Sequence, residues 1–115
     1  MVEVVVVSDA SQFRRGALEL AILALLREGE LYGGEIIDRL RGLEGLDAGA
    51  GTVYPLLSRL GRSTLVHTTW RESPVGPPRK YYRLTPPGHR VLAELANDWR
   101  ALSRALDALL EGIER

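Results

Sequence analysis

Apolar residues recur along this chain at two different periods, and the changes of period divide it into five elements. Leu18, Ile22, Leu25 and Leu26 follow one another at helical spacing after Ser8, Asp9 and Ser11, whose side-chain oxygens suit the start of a helix. This first helix is expected to end at Gly29. Gly33-Gly34 opens a second, shorter pattern in which Ile36, Ile37 and Leu40 form the apolar face and Gly42 and Gly45 bracket the end. A glycine-rich connector, Asp47 to Gly51, leads into Val53, Leu56, Leu57 and Leu60 at i, i+3, i+4 and i+7, a third helix with a narrow buried stripe. Pro55 is placed in its first turn, where a missing amide hydrogen costs little. Leu65 to Arg71 and Arg79 to Leu84 are rich in Val, Thr, Tyr and Trp and read as a hairpin closed by the stiff stretch Glu72 to Pro78. Thr85-Pro86 then caps a final helix running to about Ile113, roughly 40 Å at about 1.5 Å per residue. The run Val4 to Val7 fits an edge strand, an extension of the first helix or a tail equally well.

Three helices, a hairpin and a long helix, in that order, are the plan of a winged helix-turn-helix domain with one element added. The expected fold class is mainly α with a small antiparallel hairpin. Residues 1–85 would form the DNA-binding domain with its N-terminal helix and 86–115 a C-terminal dimerisation helix, the two making one compact unit. With Val53, Leu56, Leu57 and Leu60 turned to the core, Thr52, Tyr54, Pro55, Ser58, Arg59 and Arg62 must lie on the opposite side of the third helix. Hydroxyls, an aromatic ring and two guanidiniums suit base edges and phosphates. An ordinary solvated face would also be polar, but such a face mixes signs, and no acid occurs between Gly51 and Arg62. On the hairpin, strand alternation puts Arg79, Tyr81 and Arg83 on one face and Lys80, Tyr82 and Leu84 on the other, so one face can pack while the other meets phosphate.

Charge changes this picture only through its distribution. The 115 residues carry 15 basic and 15 acidic side chains, a net charge of zero that by itself argues against a polyanion partner. Yet Ala48 to Arg90 holds seven basic residues and one acid, net +6, and the remainder eight basic and 14 acidic, net −6. The expectation is that at least two of Arg59, Arg62, Arg79 and Lys80 neutralise phosphates; a dimer would then make about six such contacts, with a log–log salt slope near about −5. With no cysteine, disulfides, thiolate metal sites and cysteine nucleophiles are excluded. No apolar run reaches the roughly 20 residues of a membrane span, and Met1 to Val7 lacks the features of an export signal, so the cytoplasm is expected. His67 and His89 have neither triad nor metal-ligand spacing, and Gly49-Ala50-Gly51-Thr52 lacks the lysine of a phosphate loop. Catalytic residues, metal and cofactor are therefore all expected to be none.

In the final helix Leu92, Leu95, Trp99, Leu102, Leu106, Leu109 and Ile113 recur at alternating spacings of 3 and 4, a heptad seam. It would suit packing on the first helix of the same chain, but a helix this long outruns the rest of the domain, and a second copy is the expected cover. Trp99, in the middle of the seam, reads as interface core or as a flat platform for a planar ligand.

Gly16-Ala17-Leu18-Glu19 with Ile22 to Leu26, Tyr32-Gly33 with Glu35-Ile36, Gly51 to Leu60, and Gly76 to Thr85 with Gly88 together resemble the PadR family of transcriptional regulators. The resemblance covers about residues 14 to 110, and its single terminal helix is similar to that of the shorter subfamily. It implies a dimeric repressor on an inverted-repeat operator in double-stranded DNA, released by a small-molecule effector. It further implies DNA contacts at Thr52, Tyr54, Pro55, Arg79 and Lys80, and effector binding at Trp99. The chain departs from the family pattern at Gly34, often Tyr, at Gly61, often Glu, and at Thr64, near which a glycine usually ends the recognition helix. Thr64 disfavours the left-handed cap that glycine adopts, which bears on the helix end and the wing angle. The competing reading is a winged-helix module that docks a protein and does not bind DNA.

Overall fold

The computed structural model describes residues 10–113; the Val4 to Val7 run and the expected capping oxygens of Ser8 and Asp9 lie outside them. Helix α1 spans Ala10–Leu25, so Ser11 falls inside it. A 3₁₀ turn, Leu26–Glu28, carries the chain to Gly29, whose N–H donates to the Leu26 carbonyl at 3.3 Å. Leu18, Ile22, Leu23 and Leu26 are buried, while Leu25, expected on that face, is only partly covered. Strand β1 is two residues long, Leu31–Tyr32. It runs directly into α2, Gly33–Arg41, whose start is closed by the Glu35 Oε1 accepting from the Tyr32 N–H at 3.0 Å. Helix α2 buries Ile36 and Leu40.

Helix α3, Ala50–Arg62, buries Val53, Leu56, Leu57 and Leu60 as the spacing predicts. It starts earlier than expected, because the Gly49 carbonyl accepts from Thr52 at 3.1 Å and from Val53 at 2.9 Å, drawing Ala50 and Gly51 out of the connector and into the helix. Pro55 consequently sits in the second turn, not the first, and its ring removes the amide that would pair with the Gly51 carbonyl. Both residues are exposed, so water can satisfy that carbonyl.

The helix ends in a left-handed cap built on Thr64, at φ 61°. Leu65 N–H reaches back to the Leu60 carbonyl and Thr64 N–H to the Gly61 carbonyl, both at 3.0 Å, the paired bonds of a Schellman motif. A β-branched side chain at positive φ is strained, typically by about 1–2 kcal/mol. Thr64→Gly is expected to raise the unfolding free energy by about 1 kcal/mol, read as a higher denaturant midpoint at unchanged slope. An unchanged or lower midpoint would show that the Thr64 hydroxyl, which donates to the Ser63 carbonyl at 2.6 Å, outweighs the strain.

Strands β2, Val66–Ser73, and β3, Gly76–Leu84, pair antiparallel from Val66↔Leu84 out to Ser73↔Gly76, with an irregularity between Arg71 and Ser73. The expected seven-residue loop is thus mostly strand, turning only at Pro74-Val75. Pro77 and Pro78 fit because β1 covers β3 only at Tyr81 and Tyr82, leaving β3 without a neighbour on that side at the prolines. The sheet order β1-β3-β2 adds one strand to the hairpin read from the sequence. Val66, Tyr82 and Leu84 close the core beneath the helices.

Helix α4, Pro86–Leu110, begins as predicted, with the Thr85 Oγ1 accepting from the Gly88 N–H at 3.0 Å and Pro86 at the first position. It stops three residues short of Ile113, where Gly112 takes φ 89°. Val91 and Leu92 pack on the core, Trp99 borders α1, and beyond it Leu102, Leu106 and Leu109 are exposed; the molecule measures 53 × 29 × 26 Å. Among the described residues no helix is long and apolar enough to cross a membrane.

Candidate nucleic-acid interface

Burying one stripe of α3 leaves the other to solvent: Thr52, Tyr54, Pro55, Ser58, Arg59 and Arg62 are all exposed. They do not form a uniform row. Tyr54 leans off the helix toward the start of α2 and lies across Gly33, where any β-carbon would run into its ring and hydroxyl. Its position is therefore set by packing while 41% of its surface stays open. Burial, with a smaller effect from the Tyr54 phenol, raises the pKa of the neighbouring Tyr82 above the usual tyrosine range, so Tyr82 remains a neutral floor to the site.

On the opposite flank α3 faces α1 across a groove of about 450 Å³ whose walls include Arg14, Arg15, Thr52, Pro55, Arg59 and Arg62. Arg14 and Arg15 escaped the charge reading because they lie 36 and 35 residues before α3 in a segment whose net charge is negative. Only the fold brings them alongside. The four guanidiniums differ in what holds them. Arg14 donates to the carbonyls of Gly45 and Asp47, anchoring the connector before α3. Arg59 Nη1 stands 3.2 Å from Glu19 Oε2. Arg15 and Arg62 have no ion-pair partner among the described residues.

A second cleft, of about 440 Å³, separates α3 from the wing formed by β2 and β3, with Ser58 and Arg62 on one side and His67, Thr68 and Lys80 on the other. Lys80 Nζ lies 5.9 Å from the Trp70 ring centre and 5.8 Å from that of Tyr82, so both rings bear on its position. Trp70, which the sequence reading used only as a strand former, is 66% exposed beside it. Arg79 stands on the other face of the sheet, as alternation predicts. Its guanidinium carbon is 4.4 Å from the Tyr32 ring centre, and Arg71 pairs with Glu30 at 2.7 Å while lying over Tyr81. Of the two wing cations singled out from the sequence, Lys80 thus shares the cleft with α3, and Arg79 is stacked and half-buried.

Along α4, Leu92 is partly covered by its own domain, whereas Leu95, Trp99, Leu102, Leu106 and Leu109 are exposed; Ile113, expected in the same seam, is exposed too but lies past the helix end, because the helix stops before Gly112. Trp99 and Ala17 border a shallow apolar hollow with Phe13, an exposed α1 residue with no role in the sequence reading. Its signal was an aromatic ring one turn before Ala17, legible only once α1 and α4 are known to lie side by side.

The sequence profile described as the transcriptional regulator PadR-like family matches residues 22–94. Similar solved structures include a PadR-like transcription factor from Bacteroides fragilis, 40% identical, covering 89% of this chain and 98% of that one with a TM-score of 0.76. A PadR-like transcriptional regulator from Bacillus cereus is 35% identical over 88% of this chain and 98% of its own, at a TM-score of 0.78. Bacillus subtilis PadR in complex with operator DNA is 29% identical, covers 70% of this chain and 45% of that one, and superimposes with a TM-score of 0.64.

Proposed function

The chain belongs to the PadR-like family of transcriptional regulators, and on that premise we propose that it is a repressor that binds an inverted-repeat operator as a homodimer. The observation that carries this reading is the exposed, acid-free face of α3 running into the cleft it shares with Lys80 of the wing. A recognition helix in the major groove would present Thr52, Tyr54, Pro55, Ser58 and Arg59 to base edges, with Arg62 and Lys80 at the flanking backbone. Arg79 contributes from the wing's outer face, its stacking on Tyr32 holding the strand that carries Lys80. The similar protein solved with operator DNA supports this use of the fold. The alternative of a protein-docking module is less well supported, because it gives no role to Arg62 and Lys80 facing each other across the same cleft.

Two copies would join through the exposed seam of α4, Leu95 to Leu109, continued by Ile113 just past the helix end, with Leu92 at the point where the seam meets each core. The hollow between Phe13 and Trp99 is the place for a small planar effector, whose binding at the interface would shift the spacing of the two recognition helices and release the DNA. The protein acts in the cytoplasm.

Mobility shifts with duplexes from around the gene test the proposal. Tight binding is expected at low salt, with log K falling against log salt at a slope near about −5. Lys80→Ala should weaken binding to all sequences alike and flatten the slope by about 2 in the dimer, one contact per protomer. Tyr54→Ala should weaken operator binding more than nonspecific binding. A slope near zero would remove the DNA-binding reading, and equal affinity of wild type and Lys80→Ala would remove Lys80 from the interface.

A further inference from the structure

The arginines of the α1–α3 groove are chemically unequal, and the inequality bears on how sequence would be read. Glu19 sits on α1 with its side chain 20% exposed, and Arg59 reaches it with one terminal nitrogen while remaining 54% exposed. A guanidinium whose charge is already matched at 3.2 Å has little left to offer a phosphate. The phosphate would moreover meet the Glu19 carboxylate a few ångströms behind it, so binding there would require the pair to break. The remaining N–H donors lose nothing by the pairing. They are fixed in direction, with the ordering cost already met in the free protein, and a planar fork of donors matches the O6 and N7 acceptors of guanine. A neutral base edge is not repelled by the carboxylate as a phosphate would be.

Arg15 and Arg62 border the same groove, are exposed, and have uncommitted charge among the described residues. Arg14 is occupied by the Gly45 and Asp47 carbonyls. We infer a division of labour: Arg59, braced by Glu19, reads a guanine in each half-site, while Arg15 from α1 and Arg62 from α3 take the phosphates on either side of it. Glu19 is then a specificity-determining positioning residue, and Arg15 a DNA contact 37 residues ahead of the recognition helix's Thr52. This assignment rests on the DNA-binding reading above.

The test begins with selection from a random duplex pool by the wild-type protein, followed by affinities against salt for the selected operator and for versions with each G·C pair replaced. Arg15→Ala and Arg62→Ala should each flatten the salt slope by about 2 in the dimer and leave every base preference in place. Arg59→Lys, which keeps the charge but not the fork, should lose roughly tenfold or more of discrimination at one G·C pair per half-site with the slope unchanged. Glu19→Gln should weaken the same discrimination at least about fivefold and steepen the slope by about 2, because the Arg59 charge is released. Thermal melts keep these readouts separate from folding. If Arg59→Lys retains full preference at every pair and Glu19→Gln moves only the melting point, the pair is a structural staple and the inference falls. If the wild-type protein enriches no sequence and binds no duplex, the DNA reading itself fails, and this assignment with it.

Discussion

Gly88→Ala is expected to lower the unfolding free energy by about 3 kcal/mol, although the same exchange inside an open helix normally stabilises. Gly88 is the third residue of α4, and its N–H closes the Thr85 cap. The Thr85 N–H in turn donates to the Leu65 carbonyl at 3.1 Å, and its hydroxyl donates to the Thr64 carbonyl at 2.6 Å. These bonds pull the start of α4 onto the backbone at the end of α3. A β-carbon on Gly88 would collide with the Leu65 carbonyl oxygen, stand 3.1 Å from its carbon, and lie 3.3 Å from Leu84 Cδ2. A rotamer change cannot relieve a clash with main chain, so the junction must open and the cap bonds with it. Gly61→Ala is the matched control. A β-carbon there meets nothing nearer than Val66 Cγ2 at 4.0 Å, and the substitution should gain up to about 1 kcal/mol from helix propensity. Denaturant melts of the two variants should therefore move in opposite directions; equal shifts of one sign would refute the close-contact account.

Leu102→Glu combined with Leu106→Glu is expected to convert a dimer to a monomer at micromolar concentration and to weaken operator binding by at least about a hundredfold. Five large apolar side chains of the α4 seam, from Leu95 to Leu109, are exposed in the single chain, as is Ile113 just past the helix end. Covering them is worth at most about 9 to 18 kcal/mol per protomer, at about 1.5–3 kcal/mol each, which exceeds much of the range of association costs. Leu102 is 58% and Leu106 42% exposed, so charge at these positions leaves the domain's own core untouched. The variant should keep its helical content and lose only its mass and its avidity. Sedimentation equilibrium reads this directly. A wild-type protein that sediments as a monomer, or a double variant that remains a dimer, would overturn the proposed interface.

Elements whose stability comes from neighbours three or four residues away were legible without coordinates. The stripe of α3 at Val53, Leu56, Leu57 and Leu60, the Thr85-Pro86 start of α4 and the alternation of Arg79, Lys80, Tyr81 and Tyr82 are local patterns, and each stands where its period placed it. Boundaries were less legible where glycine and proline carry mixed signals. Ala50 and Gly51 joined the helix once the Gly49 carbonyl found its donors, and Pro74-Val75 alone made the turn because the central strand had a free side for Pro77 and Pro78. Thr64 occupies a cap that glycine would favour, since the Schellman bonds and the junction with α4 hold it there.

The sequence by itself determined which elements exist, which face of each is apolar, and that one helix carries an acid-free polar face, because hydrophobic periodicity and capping act over a single turn or strand. Only the tertiary structure decided which distant residues meet. It made Leu31–Tyr32 a strand by pairing it with Tyr81 and Tyr82, set Phe13 beside Trp99, and put Arg15 and the Glu19 carboxylate against α3. Such meetings depend on how whole helices pack, and no spacing along the chain encodes them, since the partners lie some 40 to 90 residues apart.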